Sequence, residues 1–464
     1  MAPLMFAGLV VFLLIGFPVA FSLAALGLSF GILGVQLGFF VPDFLANLPL
    51  RIFGIVSNDL LLAIPFFTFM GTILERCGLA EDLLESMGQA FGSLPGGLAY
   101  SVIIVGAILG AITGTVAASV IAMGLISLPL MMKYGYDMRH ATGVIAASGT
   151  ITQLIPPSLV LVVLAQQMGT DVGSMYAGAI GPSIVQTLIF MAWVLVVSII
   201  WPHQVPALPL EARSLQGWKL VMKCMKGMVP SLALIFLVLG TILLGWATPT
   251  EAGAMGAVGS LALAAMYGTL SWKLTWEGMT TTMRITALVL LILIGARVFS
   301  LVFQGVGGKE WIENMLTGLP GGKVGFLVFT QLFIFVIAFF LDFFEIAFII
   351  VPLLVPVAQK LDINIVWFGV LICANVQTSF MHPPFGFALF YLRGIAPPEI
   401  KSSDIYWGAI PWVVMQLILV AMLIFWPGMV TYWLDKPKAF DPSKVELKLP
   451  TIEMPKLNLP GAPK

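Results

Sequence analysis

Two stretches decide how this chain folds: Ala147-Ser148-Gly149-Thr150-Ile151-Thr152-Gln153-Leu154-Ile155-Pro156-Pro157-Ser158 and Ala374-Asn375-Val376-Gln377-Thr378-Ser379-Phe380-Met381-His382-Pro383-Pro384-Phe385. Each carries an apolar run into a double proline, and the offset between the pairs is 383 − 156 = 227. The same offset joins Pro129 to Pro356 and Lys133 to Lys360, while Tyr176-Ala177-Gly178-Ala179-Ile180 meets Tyr406-Trp407-Gly408-Ala409-Ile410 at 230. A double proline in two apolar segments could arise by chance. A whole set in one register reads as an internal repeat.

The surroundings of these stretches name the solvent. Of 464 residues, 59% are hydrophobic and 9% charged, and mean hydropathy is +1.04. A soluble domain averages roughly 25% charged residues. Runs such as Ser101 to Met132, Gly143 to Gln166 and Trp407 to Trp426 each supply the roughly 20 residues of a membrane-crossing helix. The expected fold is an all-α polytopic membrane protein. The first residues are apolar, without a basic start or a cleavage site, and read as a first helix rather than a removable signal. Net charge is zero, with no hint of nucleic-acid binding. Cys77, Cys224 and Cys373 stand far apart and suggest neither a disulfide framework nor a zinc site.

The repeat sets the organisation: a first half over 1–201, a link over 202–228, a second half over 229–430 and a polar tail over 431–464. The link carries Arg213, Lys219, Lys223 and Lys226 against a single Glu211, so the positive-inside rule makes it cytoplasmic. The Lys133 to His140 loop, two crossings earlier, belongs on the same side. Its repeat partner, Lys360 to Asn364, has one lysine and one aspartate and fits the outside. The halves therefore face opposite ways, as in the inverted repeats of secondary transporters, with both termini periplasmic. Re-entrant hairpins are expected at about 101–132, interrupted by Gly106, Gly110, Gly114 and Gly124, and at about 325–358, interrupted by Asp342 and Glu345. The double-proline segments, about 142–166 and 365–391, are expected to be broken helices, because proline removes a backbone donor and clashes with the preceding turn. Irregular backbone at mid-membrane is tolerated only under cover of protein or a water-filled cavity. Four interruptions in symmetric pairs thus point to one site near the midplane.

The chemistry at these interruptions is that of hard oxygen donors. Ser148, Gly149 and Thr150 precede the first break, with Thr113, Gly114 and Thr115 in the neighbouring hairpin; Asn375, Gln377, Thr378 and Ser379 are the second half's equivalents. Hydroxyls and freed carbonyls suit Na⁺, and the positive end of a half-helix suits a carboxylate. The bland alternative is that small polar residues merely let membrane helices pack closely. Asp342 is a costly intramembrane carboxylate, able to cap the hairpin tip, to serve as a ligand, or both; Glu345 shares its face or turns to the scaffold. Arg297 either draws in an anionic substrate or serves structure, by pairing with Glu251 or snorkelling outward. His382, a lone histidine before the second double proline, is a hydrogen-bonded structural residue or a proton carrier. The many Phe and Met residues read as lipid-facing or packing groups. Gly318 to Val324 lacks the spacing and Ser/Thr of a phosphate-binding loop. Neither H-E-x-x-H nor G-x-S-x-G occurs, so ATP hydrolysis, metalloproteolysis and serine hydrolysis are not indicated.

Over nearly its whole length the chain resembles the large membrane subunit of tripartite ATP-independent periplasmic (TRAP) transporters. The marks are Gly114-Thr115, Gly135-Tyr136-Asp137, Ala147 to Thr150 with Leu154 to Ser158, Ala247-Thr248-Pro249-Thr250-Glu251-Ala252, Phe340-Leu341-Asp342 and Trp367-Phe368-Gly369; singly weak, they are specific in this order. Phe343 to Glu345 and Phe390-Tyr391-Leu392-Arg393 look like a branch linked to monocarboxylates such as 2-oxo or hydroxy acids. The resemblance implies a periplasmic binding protein that delivers an organic anion, a small four-helix membrane subunit, Na⁺ as the driving ion and an elevator motion in the bacterial inner membrane. By position it implies one Na⁺ at Thr113 to Thr115 with Ser148 to Thr150. It implies another at Asn375 to Ser379 with the second hairpin, and substrate beside Asp342; Thr115, Ser148, Asn375 and Arg297 are further candidates for the substrate site. Where many members have threonine before the second double proline, this chain has His382, which leaves only the backbone carbonyl there as an ion ligand. The competing readings are a standalone Na⁺- or H⁺-coupled carrier without a binding protein, which neighbouring genes would separate, a membrane enzyme built on Asp342 and His382, and a channel.

Overall fold

The computed structural model describes residues 1–113, 116–213, 217–383 and 386–434, and of residues 13, 14, 113 and 118 the backbone only. Gly114, Thr115, the Thr113 side chain, Pro384, Phe385 and the tail from 435 onward lie outside the described residues. Every regular element among the described residues is helical. Among the described residues six helices are long and apolar enough to cross a membrane: Val19–Gln36, Val172–Ile200, Trp218–Leu243, Trp272–Gly305, Phe343–Lys360 and Ser402–Phe425. A pair bent by 49°, Pro42–Val56 with Asp59–Glu75, adds a further span if counted as one.

The two hairpins have arms Gly97–Thr113 with Val116–Lys133, and Gly322–Ile337 with Phe343–Lys360. The first broken helix runs Met138–Thr150, a tight turn Ile151–Gln153, then Leu159–Met168; the second runs Ile365–Val376, a turn Gln377–Met381, then Phe387–Ile395. Helix starts keep the register of the prolines, since 343 − 116 = 227 and 365 − 138 = 227. So do the caps: Asp137 accepts from the Arg139 N–H and Asn364 from the Trp367 N–H, each satisfying a donor that a helix start leaves orphaned. Pro156 and Pro157 offer no N–H to continue the first helix, and Ser158 restarts it by accepting from the Val160 N–H.

One long helix shows how the halves are turned. Arg139 Nε lies 3.5 Å from Asp404 Oδ1 at the start of Ser402–Phe425, whereas Trp367 Nε1 donates to the Leu423 carbonyl near its far end at 2.9 Å. Twenty-four residues at 1.5 Å each span about 36 Å, so the equivalent loops at Arg139 and Trp367 sit at opposite ends, as an inversion requires. The Lys133 to His140 loop also touches the link: the Asp137 N–H donates to the Gln204 carbonyl at 2.8 Å, and a His140 ring nitrogen lies 2.7 Å from Gln204 Oε1. Loop and link share one side. Elsewhere Trp272–Gly305 packs along Val19–Gln36 and Ala63–Glu75, and Ser402–Phe425 along Met138–Thr150.

Candidate functional site

Both hairpins and both breaks line one cavity of about 240 Å³. Val116 and Ala117 come from the first hairpin, Asp342 and Phe343 from the second, Gln153 and Leu159 from the first break, and Phe380, Phe387 and Tyr391 from the second. Ile285 and Leu288 of Trp272–Gly305 close the remaining wall. A second cavity, of about 420 Å³, lies between that helix, the Gly16 to Phe21 bend and Phe340 to Glu345; Asp342 and Leu288 border both spaces.

Asp342 is held by a reciprocal cap. The Glu345 N–H donates to Asp342 Oδ1 at 3.0 Å, and the Asp342 N–H donates to Glu345 Oε2 at 2.9 Å. This capping box starts Phe343–Lys360 and fixes the carboxylate at the tip. Glu345 faces the larger cavity. The cap role is therefore filled, and Asp342 keeps a border on the smaller cavity as well.

The first break is packed backbone to backbone. A Cβ on Gly106 would lie 2.6 Å from Ser148 Cβ and 2.9 Å from the Ser148 carbonyl, and one on Gly149 would lie 2.2 Å from Val120 Cγ2. Only glycine lets the first hairpin approach this closely. The hydroxyls nearby are spent internally: Ser148 Oγ donates to Ile145 O at 2.9 Å and Thr150 Oγ1 to Ala147 O at 3.0 Å. Thr150 Oγ1 also accepts from Gln416 Nε2 at 3.0 Å. Across the break, Ser183 Oγ donates to the Leu154 carbonyl at 2.9 Å.

The second break is held by side-chain amides instead. Asn375 Nδ2 donates to the Gln331 carbonyl at 2.7 Å and to Gln331 Oε1 at 2.9 Å. Gln377 Nε2 donates to Gln186 Oε1 at 3.4 Å, and Thr378 Oγ1 donates to Asn375 O at 2.7 Å. Asn375 Oδ1, Gln377 Oε1 and Ser379 Oγ are buried without a hydrogen-bond partner. His382 lies against Phe339 at 4.1 Å and edge-on to Phe335 at 4.4 Å between ring centroids, fastening the second hairpin to the second break.

The expected residues are thus divided. Asp342 lines the cavity. Ser148, Gly149, Thr150, Asn375, Gln377, Thr378 and Ser379 gather at the two breaks but are not among the lining residues. Arg297 is exposed, has Arg51 as an electrostatic neighbour, and borders neither of these spaces. The pairing of Arg297 with Glu251 is corrected by the structure: Glu251 closes a capping box with Thr248. Gln153, Gln331, Gln186 and Gln416 were not singled out by the sequence as site residues, and Tyr391 entered only as part of the Phe390 to Arg393 stretch. Each is a polar group in an apolar segment, and the cost of burying such a group is the signal that marks them.

The chain matches the family described as "Tripartite ATP-independent periplasmic transporter, DctM component" over residues 6–429. It is 28% identical over 405 residues to the C4-dicarboxylate TRAP transporter large permease protein DctM of Pseudomonas aeruginosa, covering 87% of this chain and 92% of that protein. It is 26% identical over 432 residues to the isethionate TRAP transporter permease protein DctMQ of Oleidesulfovibrio alaskensis, covering 93% of this chain and 66% of that one. In fold it is similar to the crystal structure of the YdaH transporter of Alcanivorax borkumensis, described as having an unusual topology, with a TM-score of 0.60, 15% identity, and coverage of 84% of this chain and 89% of that one.

Proposed function

Because the chain belongs to the DctM family of tripartite ATP-independent periplasmic transporters and is a multi-pass inner-membrane protein, we propose that it carries a small organic anion inward together with Na⁺, whose downhill entry drives the uptake. It works with a periplasmic binding protein and a small membrane subunit. The substrate is a carboxylate such as a 2-oxo or hydroxy acid or a C4-dicarboxylate, and a transport domain slides against a scaffold as an elevator. One observation carries this reading: two hairpins and two helix breaks meet at a single cavity around an intramembrane carboxylate.

Na⁺ is cargo here, and the donors fit it unevenly. At the second break Asn375 Oδ1, Gln377 Oε1 and Ser379 Oγ are oxygens in want of a partner, and a buried acceptor left unpaired costs about 1–3 kcal/mol; a bound cation removes that cost. At the first break the Ser148 and Thr150 hydroxyls already donate within their own helix, so their lone pairs, the nearby carbonyls and the unpaired Gln153 Oε1 are what remains for an ion. Asp342 supplies the negative charge that offsets Na⁺ while the substrate anion is held.

The test is uptake by proteoliposomes holding the chain with its two partners, under an imposed Na⁺ gradient and without ATP. Uptake should vanish when choline replaces Na⁺. Asp342→Asn preserves the cap, since Asn caps about as well as Asp, so it should insert and assemble normally yet lose more than about tenfold in uptake, the factor that 1.4 kcal/mol of lost interaction produces. Near-normal uptake by Asp342→Asn would reduce Asp342 to a cap. Na⁺-independent uptake would end the coupling proposal.

A further inference from the structure

Among the described residues that line the cavity around Asp342 none is basic, and that restricts what it can take. Its polar groups are Asp342, Tyr391 and Gln153; much of the remaining wall is the rings of Phe343, Phe380 and Phe387. Gln153 is 2% exposed, and its Oε1 makes no hydrogen bond. A buried amide in that condition calls for a polar ligand atom, and the amide can turn to offer either its oxygen or its NH₂. Two helices begin at the same space, Leu159–Met168 and Phe387–Ile395, with Leu159 and Phe387 both in the wall. A helix start carries about half a positive charge, so two of them beside Gln153 match a single carboxylate.

A second carboxylate has no place. It would lie against phenyl rings or against Asp342, and taking an uncompensated ion out of water costs several kcal/mol. The rings instead suit an apolar body, and a volume of about 240 Å³ lies just below the roughly 300–1,000 Å³ of drug-sized sites. We infer that the substrate is a small monocarboxylate with an apolar remainder, an aryl or branched alkyl group laid against Phe380 and Phe387, and not a C4-dicarboxylate. This rests on the transport reading above and narrows its substrate class.

Binding to the membrane subunits alone tests it, because the periplasmic protein's own selectivity then does not enter. The detergent-purified chain with its small membrane subunit is titrated in NaCl with 4-methyl-2-oxopentanoate, phenylacetate, succinate and fumarate, following the unfolding midpoint. The monocarboxylates should half-saturate at concentrations at least about tenfold lower than the dicarboxylates, the factor a single fitted apolar group supplies. Phe380→Ala and Phe387→Ala should each shrink that ratio; Phe387 is 44% exposed, so its loss leaves folding intact. Tighter binding of succinate or fumarate overturns the substrate class and leaves Na⁺-coupled carriage standing. Stabilisation by none of the four, in a preparation that still carries another organic anion, likewise overturns the class alone. If no organic anion is carried at all, both proposals fall.

Discussion

The two breaks occupy equivalent places in the repeat and are built from opposite materials. At the first, glycines let main chains touch, and the Ser148 and Thr150 hydroxyls have partners within their own helix, with Gln416 added at Thr150. At the second, the contacts are made by the ends of side chains, through Asn375–Gln331, Gln377–Gln186 and the rings around His382. Main-chain packing is stiff because interiors are as dense as crystals and cannot absorb volume. Amide contacts can be exchanged for others at small net cost, since a neutral hydrogen bond contributes only about 1 kcal/mol. One pseudo-symmetric site therefore has a fixed wall and an adjustable one; the unpaired oxygens of Asn375, Gln377 and Ser379 lie on the adjustable side, against Gln153 Oε1 on the fixed one.

The comparison breaks most readily at Gly106. Gly106→Ala drives a methyl into the Ser148 backbone and should cost about 1–3 kcal/mol, lowering folded yield and the unfolding midpoint in detergent. An unchanged midpoint would mean that the first wall gives as easily as the second. A smaller effect is expected at Asn375. Asn375→Leu and Gln331→Leu should each lower the midpoint by about 1–2 kcal/mol of stability, and the double variant by less than their sum, because the pair shares one interaction. Asn375→Leu should also raise the Na⁺ concentration for half-maximal uptake, whereas Gln331→Leu should raise it less; equal shifts would make Asn375 a packing residue. The smallest effect belongs to His382→Phe. The ring contacts with Phe335 and Phe339 survive it, so stability should change by less than about 1 kcal/mol and the pH profile of uptake should not move. A shifted profile would return His382 to the proton pathway.

Much of this was legible in the chain itself, through spacing. Asp137 and Asn364 cap the two broken helices at 364 − 137 = 227, the same register that the prolines announce, and the second hairpin turns at Asp342 because Glu345 three residues on completes its cap. Arg297 and the glutamines were not legible, for one physical reason. In water a helix shows its buried face by hydrophobic periodicity, but lipid is as apolar as a protein core, so Trp272–Gly305, apolar on every side from Ala287 to Ala296, hides which face holds Arg297. Gln186, Gln331 and Gln416 are uncharged, and amides find partners that their own helices do not reveal.

Asp342 borders both the smaller and the larger cavity. The partition between them is, at that point, one capped carboxylate thick. Whatever enters either space meets the field of the same charge, so the occupancies of the two spaces are thermodynamically linked. Linkage is reciprocal: the factor by which a cation in one chamber changes the affinity for an anion in the other must equal the factor in the reverse direction. A single set of titrations, Na⁺ varied at fixed anion and anion varied at fixed Na⁺, would have to return one coupling constant.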